Sequence, residues 1–289
     1  MRRSVLSVSL ATLVVLIWPA IALAATDPMP GSNTAGNFAV LSGAGMTNTG
    51  PSWVTGAIGA SGAGITGFPP GTSGPKHIGD SVYTTAETDL TAAYGAAVQP
   101  CTKDYTGINL GGLTLGPGVY CQTTAPTLKG TLTLSGSGVY IFLIGTTASP
   151  TTLITFSGAR VRLIGGAQPC DVFWRVTSSA TLATSTTFVG TIMANISIQM
   201  QTGATLNGRA LARTAAVTLD TNRIIRPSGC GFGVPGYVPP PAGNIFGAGN
   251  LGVPSELLGS FPWLLIVGIG AGVGATALGV SARRRRRTA

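Results

Sequence analysis

The residue types that carry most enzyme chemistry are scarce in this sequence. Outside one predicted helix, the segment 25–230 has a single histidine, His77, and four widely separated carboxylates, Asp27, Asp104, Asp171 and Asp220. Glycoside cleavage requires two carboxylates at a fixed separation, and a metal site requires several ligands close together. The sequence also lacks Gly-x-Ser-x-Gly and phosphate-loop motifs. It therefore predicts a protein that is not an enzyme and holds no metal or cofactor.

Four cysteines, Cys101, Cys121, Cys170 and Cys230, form no Cys-x-x-Cys pair. In an exported chain this spacing favours two disulfides over a zinc site. Three connectivities are open. We favour Cys101–Cys121 because it closes a short loop, which leaves Cys170–Cys230 as the second bond. Each bond is expected to stabilise the fold by about 3 kcal/mol on the loop-entropy argument.

Basic residues are concentrated at the two ends of the chain. The 289 residues include 17 Lys+Arg and 8 Asp+Glu, which gives a net charge of +9. Seven of the basic residues are Arg2, Arg3 and the cluster from Arg283 to Arg287. The rest of the chain is nearly neutral, so no nucleic-acid partner is predicted.

The N-terminus has the pattern of a secretory signal. Arg2 and Arg3 precede an apolar run from Val5 to Ala24, and Ala22-Leu23-Ala24 supplies a small-x-small cleavage site. We interpret residues 1–24 as a signal peptide, with a retained membrane anchor as the alternative. The folded domain is then predicted over 25–230, in an exported protein.

The C-terminus has the pattern of a membrane tether. The segment 231–260 is rich in Pro and Gly and is predicted to be a stalk. Residues 261–280 form an uncharged run that is long enough to cross about 30 Å of hydrocarbon as a transmembrane helix. The arginines of the tail 281–289 place that end in the cytoplasm and the ectodomain at the cell surface. This order also resembles a cell-wall sorting signal, but no Leu-Pro-x-Thr-Gly motif precedes the span.

The segment 25–230 is predicted to be mostly β. One helix is predicted over 80–98, where apolar residues follow helical spacing at Val82, Ala86, Leu90, Ala93 and Ala97. Thr84-x-x-Glu87 fits a capping box in its first turn. Gly-broken strands are predicted over 34–70, and runs of Leu, Val, Ile and Thr predict strands over 108–226.

One short pattern recurs within the second of these regions. A hydroxyl residue, two small residues, a residue that is mostly Thr, and a branched apolar residue occupy 124–128, 157–161, 178–182 and 202–206. The last two spacings, 21 and 24 residues, suit one turn of a three-sided β-solenoid. The interior would then contain the branched residues, Leu128, Val161, Leu182 and Leu206. Periodicity alone also allows a β-sandwich.

Six longer motifs occur in order over about 34–225. They are Thr34 to Leu41, Thr47-Asn48-Thr49-Gly50, Thr66 to Gly71, Leu110 to Leu115 with Pro117 to Cys121, Val172-Phe173-Trp174, and Leu206 to Ala212. In these motifs the chain resembles the microbial ice-binding protein family. The resemblance implies a discontinuous right-handed β-solenoid of triangular cross-section with one long α-helix alongside. It also implies ice binding through one flat solenoid face, without catalysis.

Some members of that family carry a Thr-Ala/Gly-x-Thr/Asn pattern on the ice-binding face. The recurring segments supply six candidate residues for such a face: Thr124, Thr127, Ser178, Thr181, Thr202 and Thr205. Thr181 and Thr205 are predicted to share one column of adjacent turns. Arg160 takes the equivalent place in 157–161, and its hydrated guanidinium is expected to disturb the face, as are Lys129 and Arg162 if they project from it.

These features predict non-enzymatic ice binding by a flat Thr- and Ser-bearing face. The expected partners are an ice crystal surface and, through the C-terminal helix, a membrane. The alternative is a cell-surface adhesin or wall-associated structural protein with cell-wall glycan as its partner. Exposed aromatic rings would favour glycan, but Trp53 and Trp174 lie in strand-like segments and are predicted to be core.

Overall fold

The computed structural model describes residues 25–29 and 34–228. The predicted signal peptide, stalk, transmembrane helix and tail lie outside these residues, as does Cys230. Within the described residues, no helix combines the length and the apolar character needed to cross a membrane.

One α-helix and twenty strands make up the described part of the chain. The helix, α1, is Ser81–Ala96. The strands in chain order are β1 Phe38–Ser42, β2 Met46–Thr49, β3 Trp53–Thr55, β4 Ala57–Ala60, β5 Lys76–Ile78, β6 Lys103–Asp104, β7 Thr114–Leu115, β8 Gly118–Gln122, β9 Thr127–Leu128, β10 Thr131–Ser135, β11 Tyr140–Ile144, β12 Leu153–Thr155, β13 Arg160–Ile164, β14 Val172–Val176, β15 Ala180–Leu182, β16 Thr187–Ala194, β17 Ile198–Met200, β18 Thr205–Ala212, β19 Val217–Asp220 and β20 Arg223–Ile225.

The strands stack in parallel on three faces that the chain visits in turn. We call β2, β19, β17, β15, β12 and β9 the threonine face, after its outward residues. The arginine face consists of β7, β10, β13, β20, β3 and the first halves of β16 and β18. The helix face consists of β6, β8, β11, β14, β1, β4, β5 and the second halves of β16 and β18. All strand pairs in the described residues are parallel, which excludes the antiparallel β-sandwich alternative. The mostly-β fold with one helix is confirmed.

The stacking order differs from the chain order. On the helix face the strands follow the order β5-β4-β1-β18-β16-β14-β11-β8-β6, so the first turns of the chain stack directly on the last ones. The helix α1 therefore carries the chain from β5 at one end of the stack to β6 at the other. The chain order of the turns is therefore interrupted at α1.

Alternation along the strands separates a packed interior from the outer faces. The interior residues predicted from the repeat, Leu128, Val161, Leu182 and Leu206, are all buried. Rings in successive turns stack within the core, and the ring centroids of Phe142 and Trp174 are 3.9 Å apart.

At the bend of β18, a Cβ on Gly208 would lie only 1.9 Å from the carbonyl oxygen of Gly190. Only glycine fits this corner, where one strand passes from the arginine face to the helix face.

The helix α1 covers the helix face and is fixed there by two tyrosines. Tyr83 Oη donates to the Ser42 carbonyl at 3.1 Å, and Tyr94 Oη donates to the Val176 carbonyl at 3.1 Å.

The predicted capping box of Thr84 and Glu87 is wrong, because the N-cap of α1 lies one turn before Thr84. Asp80 is the N-cap, and its Oδ1 accepts from the Tyr83 amide at 2.8 Å. The prediction that Val82 belongs to the apolar stripe is wrong, since it is 41% exposed.

The predicted disulfide Cys101–Cys121 is confirmed, with the two Cα atoms 5.9 Å apart. It joins the segment after α1 to β8. Cys170 is also disulfide-bonded, while its predicted partner Cys230 lies outside the described residues.

Candidate functional site

The threonine face has one continuous outward column of side chains. Strand pairing places six residues in register across six strands, in the order Thr47, Thr218, Gln199, Thr181, Ile154 and Thr127. Their neighbours along each strand are buried, so these residues face outward. Adjacent strands lie about 4.8 Å apart, which sets the repeat of the methyl and hydroxyl groups. We call this set the threonine column.

Small residues line one side of the threonine column. Ser179, Ser197 and Ala216 occupy adjacent turns, since the Ala180 amide donates to the Ser197 carbonyl and the Ile198 amide donates to the Ala216 carbonyl. The Ser197 hydroxyl donates to Ser179 Oγ at 2.9 Å. Side chains of this size leave the column unobstructed on that side.

The other side of the threonine column contains the nearest charges. Asp220 lies at its edge, where it accepts hydrogen bonds from the hydroxyls of Thr202 and Thr221. Lys129 lies at the far end, with Nζ 5.9 Å from the centroid of the Phe156 ring. The column itself contains no ionisable side chain.

The arginine face differs in its outward residues. Its corresponding column runs Thr131, Arg160, Thr187, Thr205, Arg223 and Trp53. Arg162 projects two residues after Arg160 on the same strand and is exposed. The Arg223 guanidinium lies 4.6 Å from the Trp53 ring centroid. A large ring and long cationic side chains therefore interrupt this face.

The six predicted site residues divide between different parts of the solenoid. Thr127 and Thr181 lie in the threonine column, and Ser178 lies in the turn that enters the same face. Thr124 lies in the turn before β9, where its Oγ1 accepts from the Gly107 amide at 3.0 Å. Thr202 lies in the turn between β17 of the threonine face and β18, and Thr205 lies on the arginine face.

The prediction that Thr181 and Thr205 share a column is wrong. Thr181 pairs with Ile154 and Gln199, whereas Thr205 pairs with Thr187 and Arg223. The recurring pattern includes turns from two different corners of the solenoid. The same hydroxyl-small-small sequence precedes strands of the threonine face and strands of the arginine face. The segments 157–161 and 202–206 enter the arginine face, and the other two enter the threonine face. Arg160 and Arg162 accordingly do not interrupt the threonine column.

Sequence reasoning missed four of the six members of the column: Thr47, Thr218, Gln199 and Ile154. The available signal was strict alternation, as in Met46-Thr47-Asn48-Thr49 and Val217-Thr218-Leu219, where alternate residues are buried. The core assignment of Trp174 is confirmed, since it is fully buried. The core assignment of Trp53 is wrong, since it is 45% exposed.

Comparison with known proteins identifies relatives of this chain. Residues 40–225 match the family described as ice-binding-like. An ice-binding protein of a Nostoc species is 44% identical over an alignment of 200 residues, and the alignment covers 66% of this chain and 72% of the relative. One from Flavobacterium frigoris is 35% identical over an alignment of 210 residues, which covers 67% of this chain and 75% of the relative.

A crystal structure of an ice-binding protein from the Antarctic ascomycete Antarctomyces psychrotrophicus matches with a TM-score of 0.65 and 39% identity. The match covers 69% of this chain and 98% of that one, so the crystallised relative folds with little beyond the matched domain. The family match covers most of the described residues, and both relatives are more than 30% identical. The chain therefore belongs to the ice-binding-like family.

Proposed function

We propose that this protein binds ice through the threonine face. The observation that carries the proposal is the threonine column, in which four threonines stand in register across six strands without an ionisable side chain among them. Methyl and hydroxyl groups at a regular spacing order the water next to them into an arrangement that can merge with the crystal lattice. Ice growth then stops where the protein is adsorbed.

Rigidity of the face supports adsorption. A preorganised surface loses little conformational entropy on binding. Thr is branched at Cβ, which restricts its χ1 angle in a strand and fixes the direction of the hydroxyl. Beneath the column lie fully buried apolar residues such as Leu182 and Leu219, so the strands rest on a packed core.

The relatives named above favour ice binding over an adhesin or glycan-binding role. The feature that would suit a glycan is the exposed Trp53 on the arginine face. One face of that ring is covered by the Arg223 guanidinium, which leaves less of it free to stack on a sugar. The threonine face is therefore the better candidate for the functional surface.

The direct test uses residues 25–230, the segment that corresponds to the crystallised relative. We expect the purified domain to lower the freezing point relative to the melting point and to stop ice recrystallisation at micromolar concentration. Heat-denatured protein at the same concentration is the control for colligative effects. Recrystallisation at the buffer rate in the presence of folded protein would contradict the proposal and support the adhesin alternative.

We also propose that the protein is exported and tethered with its ectodomain outside. Support comes from the sequence of the ends alone, since both lie outside the described residues. Protease added to intact cells should release the domain and leave the terminal arginine cluster protected. Release of the whole chain into the medium as a soluble protein would contradict the tether.

A further inference from the structure

Two arginines meet at a cleft between α1 and the end of the helix face. The cleft has a volume of about 180 Å³ and is lined by Tyr94, Thr147, Pro150, Arg175, Thr177, Asn195 and Arg213. Both guanidinium groups lie against the buried Tyr94 ring, at 4.2 Å for Arg175 and 4.6 Å for Arg213. We call this site the arginine cleft.

Hydrogen-bond donors in the arginine cleft exceed the protein acceptors available to them. Arg175 Nε donates to the Tyr94 carbonyl at 3.1 Å, which leaves its two terminal nitrogens without a protein acceptor. Arg213 Nη1 donates to Asn195 Oδ1 at 2.7 Å and Nη2 donates to Thr91 Oγ1 at 3.5 Å, while Arg213 Nε is buried without a partner. The Asn195 amide, whose oxygen is already occupied, adds an NH₂ donor group.

No carboxylate in the described residues lies within ion-pair distance of either arginine. Glu87 lies on the same face of α1 as Tyr94, two turns earlier, and interacts electrostatically with Arg213 without forming an ion pair within 4 Å. Burial lowers the pKa of Arg175, and the neighbouring Arg213 charge lowers it further. Two cations held together without a counterion are costly unless an anion joins them.

We propose that the arginine cleft binds a small oxyanion such as phosphate or sulfate. Tetrahedral oxyanions offer several acceptor oxygens, which match the unsatisfied guanidinium donors in charge and in number. The bound anion would connect α1, the turn containing Thr147 and three successive turns of the solenoid, those of Arg175, Asn195 and Arg213. Its binding therefore stabilises the attachment of the helix to the solenoid, independently of ice binding.

The test is thermal unfolding of residues 25–230 in inorganic phosphate, with ionic strength held constant by sodium chloride. We expect a saturable rise in melting temperature of roughly 3–6 °C at ten times the dissociation constant. Sodium chloride alone should not reproduce it. An equal rise in chloride at matched ionic strength would overturn the proposal.

The variant Asn195→Asp distinguishes a loss of anion binding from a loss of folding. The new carboxylate would lie beside Arg213 and occupy the place of the anion. We expect this variant to melt at the same temperature as the parent or higher in chloride, and to lose the phosphate response. Arg160→Gln, which removes an exposed arginine on another face, is the matched control and should keep the full response. An undiminished phosphate response in Asn195→Asp would overturn the proposal.

Sedimentation with lipid vesicles distinguishes free phosphate from a lipid headgroup. Binding to phosphatidylglycerol but not phosphatidylcholine, abolished by Asn195→Asp, would support the cleft with a headgroup as its source of oxyanion. A melting temperature that rises with phosphate, without binding to vesicles, would support the arginine cleft as a site for a free anion.

Discussion

The threonine face and the arginine face are built by the same chain from the same kind of short parallel strand. Their interiors are equivalent, with Leu182 beneath one and Leu206 beneath the other, both buried. Their outward columns differ. One contains four threonines, a glutamine and an isoleucine, and the other contains two arginines and a tryptophan among three threonines. Packing thus specifies the strands of both faces, while the outward residues alone distinguish the proposed ice-binding face from the other.

The largest effect is expected from a bulky ring on the threonine face. Thr181→Tyr or Thr218→Tyr should abolish most ice activity, because the ring holds the crystal away from neighbouring groups in the column. Thr205→Tyr, on the arginine face, is the matched control and should keep its activity. Stability should change by less than about 0.5 kcal/mol in all three variants. Thermal hysteresis measures the ice activity, and melting curves measure the stability. A loss of thermal hysteresis in Thr205→Tyr alone would assign the site to the arginine face.

A core substitution should affect both faces alike. Leu182→Ala and Leu206→Ala each remove a buried side chain beneath a strand, and each should lower the free energy of unfolding by about 2–5 kcal/mol. Urea titration provides the measurement. A large cost for one and a negligible cost for the other would contradict the equivalence of the two interiors.

Protonation on the helix face should change stability near neutral pH without acting on the threonine column. Burial raises the pKa of Glu87 to about 7, despite the opposing influence of Tyr83 and Arg213. The folded state therefore holds this proton more tightly than the unfolded chain. The resulting stabilisation is present below pH 4.5 and is lost as the pH rises through 7.

Melting temperatures between pH 4 and 8 test this expectation. Glu87→Gln should reduce the decline in stability between pH 4.5 and 7. Asp104→Asn should leave that decline unchanged, because hydrogen bonds from Thr106 lower the pKa of this exposed carboxyl. A decline of undiminished size in Glu87→Gln would assign it to other buried carboxyl groups, such as Asp27 and Asp171.

The smallest effect is expected from Arg160→Thr. Arg160 belongs to the arginine face, so its replacement should leave ice activity and melting temperature nearly unchanged. A clear gain in thermal hysteresis would show that the arginine face also contacts ice.

Sequence alone was sufficient for a mostly-β fold with one helix and for part of the interior. The recurring pattern ends in a branched apolar residue, and burial of that residue in each turn made Leu128, Val161, Leu182 and Leu206 predictable as core. The same periodicity did not distinguish a solenoid from a β-sandwich. The position of α1 and the Cys101–Cys121 bond also followed from local signals, namely helical apolar spacing and a short loop.

Tertiary structure decided which face each outward residue occupies. The turns before Thr181 and Thr205 have similar sequences because both corners need small residues, so local pattern could not tell the faces apart. The neighbours of Thr218 include Thr47, far away in sequence, because the first turns of the chain stack on the last. A column is a property of strand register between distant segments, and that register is fixed by packing across the whole solenoid.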